Sequence, residues 1–145
     1  MNEFNLNRFI KAQRDSFEVA YYELSNEKKE SHWMWYIFPQ LVGLGKSDTS
    51  IYYGINNLSE AKAYMKNEIL GERLNLLVDL LLSLESQDPV KIFGFPDNLK
   101  LWSSLTLFFF SDEENPRFKK ALDKFFQGRL EMGTVNMLKE LGDIE

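Results

Sequence analysis

The chain has a single histidine, His32, at the head of its densest stretch of chemistry, Lys28 to Tyr53. His32 is the side chain whose ordinary titration range brackets neutrality, which makes it the candidate general acid or base. Trp33 and Trp35 offer flat faces that can stack on a base or another ring. Gln40 can read an amide or a nucleobase edge. The competing reading is structural, because a run of large apolar residues ahead of a proline usually packs in a core. The loop that follows, Gly43-Leu-Gly-Lys46-Ser47, invites comparison with a phosphate loop. That motif would require glycine at position 40, where the chain has Gln40, so the motif is rejected. A weaker function survives. Two glycines let backbone N–H groups converge on an anion with Lys46 and Ser47 beside them, or the segment is simply a turn.

A second group lies between Asp97 and Phe110. Lys100, Ser103 and Ser104 fall at i, i+3 and i+4 and so share a helix face, with Thr106 one turn on. Serines next to a lysine can act as nucleophile and base, coordinate a phosphate, or satisfy neighbouring backbone. Arg73 could clamp a carboxylate or phosphate, or pair with Glu68 or Glu72 on the surface. Tyr52 and Tyr53 could line a pocket or pack.

Two functional hypotheses follow. In the first, these groups meet in one pocket for a small anionic ligand, with nucleotides among the candidates. His32, Lys100 and Ser104 would be catalytic there, and Trp33, Trp35, Gln40, Lys46, Ser47, Tyr53, Arg73 and Ser103 would bind the ligand. No cofactor is implied. In the second, the aromatics from Trp33 to Phe38 form an exposed patch that docks a protein partner.

Composition narrows the field. Hydrophobic residues make up 44% and aromatics 14% of 145 residues, which suits one folded domain over residues 1–145 rather than a disordered chain. The formal charge of −5 makes nucleic acid a poor default partner. There is no cysteine, so disulfides, thiol catalysis and thiolate zinc sites are excluded. Met1 to Phe17 lacks the apolar region of a signal peptide. Leu74 to Leu84 is too short for a membrane span and contains Asp79, so no membrane association and a cytoplasmic location are expected.

These groups need helices to position them. Apolar residues at Leu6, Phe9, Ile10, Phe17, Ala20, Tyr21 and Leu24 mark one helix face, with Asn5 as its cap. Ser31 to Phe38 reads as a short helix capped by Ser31 and stopped before Pro39. Gln40 to Thr49 reads as a loop. A helix is expected from Ser59, a break over Asn67 to Gly71, and a Leu-rich helix over Arg73 to Leu84. Asp88-Pro89, Pro96-Asp97 and Asn115-Pro116 are three start signals, while Gly94 and Gly128 mark ends. Thr134 is expected to cap a last helix ending near Gly142. The result is an all-α, compact multi-helix domain of about six to eight helices.

The stretch Ser31-His-Trp-Met-Trp-Tyr-Ile-Phe-Pro-Gln-Leu41, followed by Gly43-Leu-Gly45 and Ser47, resembles the hallmark of a mainly bacterial family, domain of unknown function eighteen-ten. Tyr53-Gly-Ile55, Glu60-Ala61, Leu70-Gly71, Arg73-Leu74, Ile92-Phe93-Gly94, Leu99-Lys-Leu101, Ser103-Ser104 and Thr106-Leu-Phe108 extend the likeness from about Leu6 to Leu138. At Leu105 that family commonly carries methionine. The resemblance implies a helical fold and supplies no catalytic residues. Some members carry the label calpastatin. Calpastatins resemble extended, disordered inhibitors, whereas this chain is dense in core-forming rings.

Overall fold

A computed structural model describes residues 4–145, so the first three residues of the N-terminal stretch read above lie outside it. Among the described residues there are nine helices: α1 (Asn7–Ser25), α2 (Met34–Ile37), α3 (Asp48–Tyr52), α4 (Leu58–Lys66), α5 (Glu68–Ser83), α6 (Pro89–Phe93), α7 (Asp97–Ser111), α8 (Pro116–Phe126) and α9 (Met132–Glu140). No sheet forms among them. One isolated parallel bridge pairs Leu41 with Ile55. The all-helical, compact fold expected from the periodicity is what the chain adopts. No helix among the described residues is long and apolar enough to cross a membrane.

α5 and α7 are the two central helices. α7 packs against α4, α6, α8 and α9, and α5 packs against α1, α4 and α8. Leu101, Leu105, Leu107 and Phe108 of α7 are buried, as are Leu70, Leu74, Leu77, Val78 and Leu81 of α5. The stretch Leu105 to Phe110, whose residue types suit a strand, is helical because both faces of that turn bury apolar side chains.

The helix ends differ from expectation at several points. Ser47 caps α3 by accepting the Ser50 N–H, so a short helix begins in the last two residues of the stretch read as loop and runs on to Tyr52. Asn57, not Ser59, caps α4, because its side chain reaches the Glu60 N–H. Asn67 to Gly71 does not break the chain. Asn67 ends α4 and its side chain accepts from Ile69 and Leu70 to start α5 immediately. Gly71 lies within α5 because a Cβ there would strike the Met65 carbonyl. Glu131 caps α9, three residues before Thr134, and its carboxylate accepts both the Gly133 and Thr134 N–H groups. Leu6 rather than Asn5 precedes α1, and Trp33 rather than Ser31 precedes α2. Asp88 and Asn115 cap α6 and α8 as expected.

Ser31 has another task. It belongs to a knot around Glu23, a carboxylate only 6% exposed. Glu23 accepts hydrogen bonds from the N–H groups of Glu30 and Ser31, from Ser31 Oγ, and from Trp33 Nε1 at 2.9 Å. Burial pushes this carboxyl up, but the donors outweigh it and hold it at about 2, below its ordinary 4.5. A depressed carboxyl contributes stability above its unfolded value and loses it as pH falls through the folded value. Stability is therefore expected to fall between about pH 5 and pH 2, by of order 2 kcal/mol from this group once solvent screening is discounted. Glu23→Gln should flatten that part of a urea-midpoint profile against pH.

Candidate functional site

Two cavities meet at Gln40 and Lys100. The larger is an open cleft of ≈380 Å³ between the chain after α2, the first half of α7 and the start of α9. That volume falls in the range of small-molecule sites. Its apolar walls are Leu44, Pro96, Leu99 and Trp102, and its polar groups are Gln40, Lys100, Ser103 and Glu131. The smaller is a niche of ≈10 Å³ behind Lys100, bordered by Met34, Trp35, Phe38, Ser50 and Tyr53. A space of that size holds about one water-sized group.

Each wall has a local cause. Gln40 follows the buried Pro39, and its carbonyl accepts the Ile55 N–H at 2.9 Å while Val42 N–H donates back to the Ile55 carbonyl. This bridge pins the start of the loop. Gly45 lets the loop close, since a Cβ would meet Ser50 Oγ at 2.5 Å. Gly43 has φ +103°, which disfavours any side chain. On α7, Lys100 and Ser103 are one turn apart and both line the cleft. Ser103 Oγ lies 3.0 Å from Glu131 Oε1 and 3.1 Å from the Leu99 carbonyl, and donates its one proton to either. Glu131 is held by its own N–H, which donates to Thr106 Oγ1 at 3.0 Å. Trp102 stacks on Phe126 at 5.4 Å and donates its indole N–H to the Arg129 carbonyl.

The charges form a short chain. Asp97 contacts Lys29 Nζ at 2.8 Å and Lys100 Nζ at 3.5 Å, so two ammonium groups share one carboxylate. Each amine also sits over a ring: Lys29 lies 4.9 Å from Trp33 and Lys100 lies 4.7 Å from Trp35. Lys29 is nearly sealed, with its side chain 7% exposed, whereas that of Lys100 is 25% exposed on the cleft. The Tyr53 hydroxyl is raised above its ordinary value by burial and then by the neighbouring Tyr52 and Tyr36, so it stays protonated.

Of the residues singled out by sequence, Trp35, Gln40, Tyr53, Lys100 and Ser103 are brought together around these two spaces. The others lie elsewhere. His32 is exposed and lines neither cavity. Trp33 is 1% exposed and faces Glu23 and the rings of Phe38 and Phe93. Lys46 is exposed, and Ser47 is occupied as the α3 cap. Arg73 reaches Gln13 Oε1 at 3.3 Å and the Phe17 ring at 5.5 Å, on the α1 side of the molecule. Ser104 is 1% exposed and turns into the core, because i+4 on this helix points past the cleft while i+3 points into it. Its hydroxyl, the Asn98 side-chain oxygen and the Trp35 indole N–H are buried without hydrogen-bond partners in the protein, and of these three residues Trp35 alone borders the niche. No group of three or more His, Asp or Glu side chains among the described residues is placed to hold a metal ion.

Sequence reasoning missed Glu131 and Trp102. The signal for Glu131 is its place directly ahead of Met132-Gly133-Thr134, where a side-chain acceptor can cap a helix. Trp102 stands two residues from Lys100, a spacing that helix geometry does not place on one face, and the breadth of the cleft is what includes it.

The conserved hypothetical protein Rv1873 from Mycobacterium tuberculosis, seen in a crystal structure, is 40% identical to this chain. The alignment covers 95% of this chain and 99% of that one, with a TM-score of 0.93. No curated protein matches. Residues 3–138 match the family described as Protein of unknown function (DUF1810), and the chain belongs to that family.

Proposed function

We propose that this protein, working as one cytoplasmic domain, binds a small anionic ligand in the cleft between the Gln40–Gly45 loop, α7 and the start of α9. The acidic group meets Lys100, and the body of the ligand lies against Leu44, Leu99 and Trp102. The observation that carries this reading is the Lys29–Asp97–Lys100 cluster. Two cations sharing one carboxylate leave one positive charge, and the looser partner, at 3.5 Å, faces the cleft. An anion would neutralise it through a charge-assisted hydrogen bond.

Binding is better supported than catalysis. The candidate base, His32, lines neither cavity, and the candidate nucleophile, Ser104, is sealed in the core. Ser103 does face Glu131, but that carboxylate already accepts from the Gly133 N–H, the Thr134 N–H and Thr134 Oγ1, so it is engaged in capping α9. The reading as a docking module has less support, since Trp33, Met34, Ile37 and Phe38 are each 1% exposed and present no patch.

A thermal-shift panel of nucleotides, sugar phosphates and small organic acids tests the proposal, because a ligand of the native state raises the melting temperature. Lys100→Ala should weaken any hit by about tenfold or more, the loss of one charge-assisted hydrogen bond. Gln40→Ala should weaken it less. A panel without a hit, or a hit indifferent to Lys100→Ala, would overturn it.

A further inference from the structure

The three tryptophans are in three different situations. The indole N–H of Trp33 donates to Glu23, and that of Trp102 donates to the Arg129 carbonyl. That of Trp35 is buried with no partner in the protein, although Trp35 borders the niche and carries the Lys100 ammonium 4.7 Å from its ring. The residue with the unpaired donor and the partly exposed cation therefore border one small space. We infer that the ligand of the cleft is a monoanionic carboxylic acid with an apolar body, one carboxylate oxygen of which enters the niche and accepts the Trp35 indole N–H beside Lys100. This rests on reading the cleft as a binding site.

Charge and surroundings favour a carboxylate over a phosphate. The niche admits about one water-sized group, so it takes a single oxygen of the anion while the rest lies in the cleft. Two lysines and one aspartate carry one net positive charge and Glu131 on the same cleft carries one negative, so a singly charged carboxylate leaves less uncompensated charge than a phosphate. A phosphate monoester carries about −1.5 to −2 at neutral pH and would leave negative charge facing Glu131 on the same cleft. Pro96, Leu99 and Trp102 offer the apolar contact area. Glu131, an acceptor beside Ser103, suits a hydroxyl on the ligand, so hydroxy acids fit best.

The test uses the indole N–H resonances of the ¹⁵N-labelled protein, assigned through Trp35→Phe and Trp102→Phe. Trp102 reports the cleft, Trp35 the niche, and Trp33 the integrity of the fold. Phenyllactate, 4-hydroxyphenyllactate and phenylpyruvate are titrated beside the neutral alcohol 3-phenyl-1,2-propanediol, inorganic phosphate and AMP. The expected result is that at least one acid moves both Trp35 and Trp102 while Trp33 stays fixed. Lys100→Ala and Lys100→Gln should each weaken that acid about tenfold with the Trp33 signal unchanged. If phosphate or AMP moves Trp102 and leaves Trp35 in place, the inference fails and the cleft remains a binding site. If the alcohol binds as well as the acid, the carboxylate is refuted. A Trp35 proton that still exchanges freely with water at saturation refutes it too, since water then keeps the bond. If nothing moves Trp102, the cleft reading fails with it.

Discussion

Glu60→Ala is expected to lower the unfolding free energy by about 3–5 kcal/mol, the range for removing one partner of a buried ion pair. Glu60 is fully buried, and its carboxylate accepts Arg8 Nη2 at 2.9 Å and both the N–H and the Nδ2 of Asn56 at 2.9 Å. Arg8, itself 8% exposed, also donates to the carbonyls of Tyr52 and Gly54. Those carbonyls orient the guanidinium but cannot neutralise it. Without Glu60 the charge stays buried and uncompensated, and α1 loses its ion pair with α4. Urea denaturation followed by circular dichroism measures the loss. The double change Arg8→Met with Glu60→Leu removes both charges and should recover part of it. A loss below about 1 kcal/mol for Glu60→Ala would show that the pair is screened like a surface contact.

Trp33→Ala is expected to be comparably severe, at about 3–5 kcal/mol, because it empties a large buried volume. The ring packs against Phe38 at 6.2 Å and Phe93 at 6.3 Å, and its N–H is one of the donors that hold Glu23 ionised. Trp33→Phe keeps a ring in place and loses one hydrogen bond, so about 1 kcal/mol is expected. Thermal or urea unfolding separates the two variants. If Trp33 instead stacked on a ligand, the alanine variant would fold with near-normal stability and lose binding. The sharply different forecasts for Trp33 and Trp35 come from their spacing. Residues two apart on a helical turn diverge, so one ring seals the core and the other lies under Lys100.

The helices were legible wherever a capping side chain preceded a proline or a glycine followed an apolar run. Asp88, Asn115 and Gly94 mark their helix ends as the sequence suggests. Caps that lack such punctuation were not legible. Glu131 is charged and reads as surface, yet its carboxylate opens α9, while the more familiar cap residue Thr134 lies one turn in. Asn67 looked like a break because asparagine and a following glycine are turn residues. Here the asparagine closes one helix and opens the next, and the glycine is demanded by a crossing carbonyl. At the site, the pairing of Lys100 with Ser103 followed from helix geometry alone. Their meeting with Gln40 depends on a tertiary bridge between Gln40 and Ile55 that no local pattern announces. His32 shows the reverse case, a residue with suitable chemistry that the approach to α2 leaves in solvent, away from both cavities.

The cleft takes its walls from three distant stretches of chain, and the last of them arrives with Glu131. On a translating ribosome the Gln40 loop and α7 emerge before α9, so the groove stays open-sided until the residues around Glu131 have been made. The cleft therefore gains its third wall only when α9 docks on α7, and a chain halted before that point would present the first two walls to solvent.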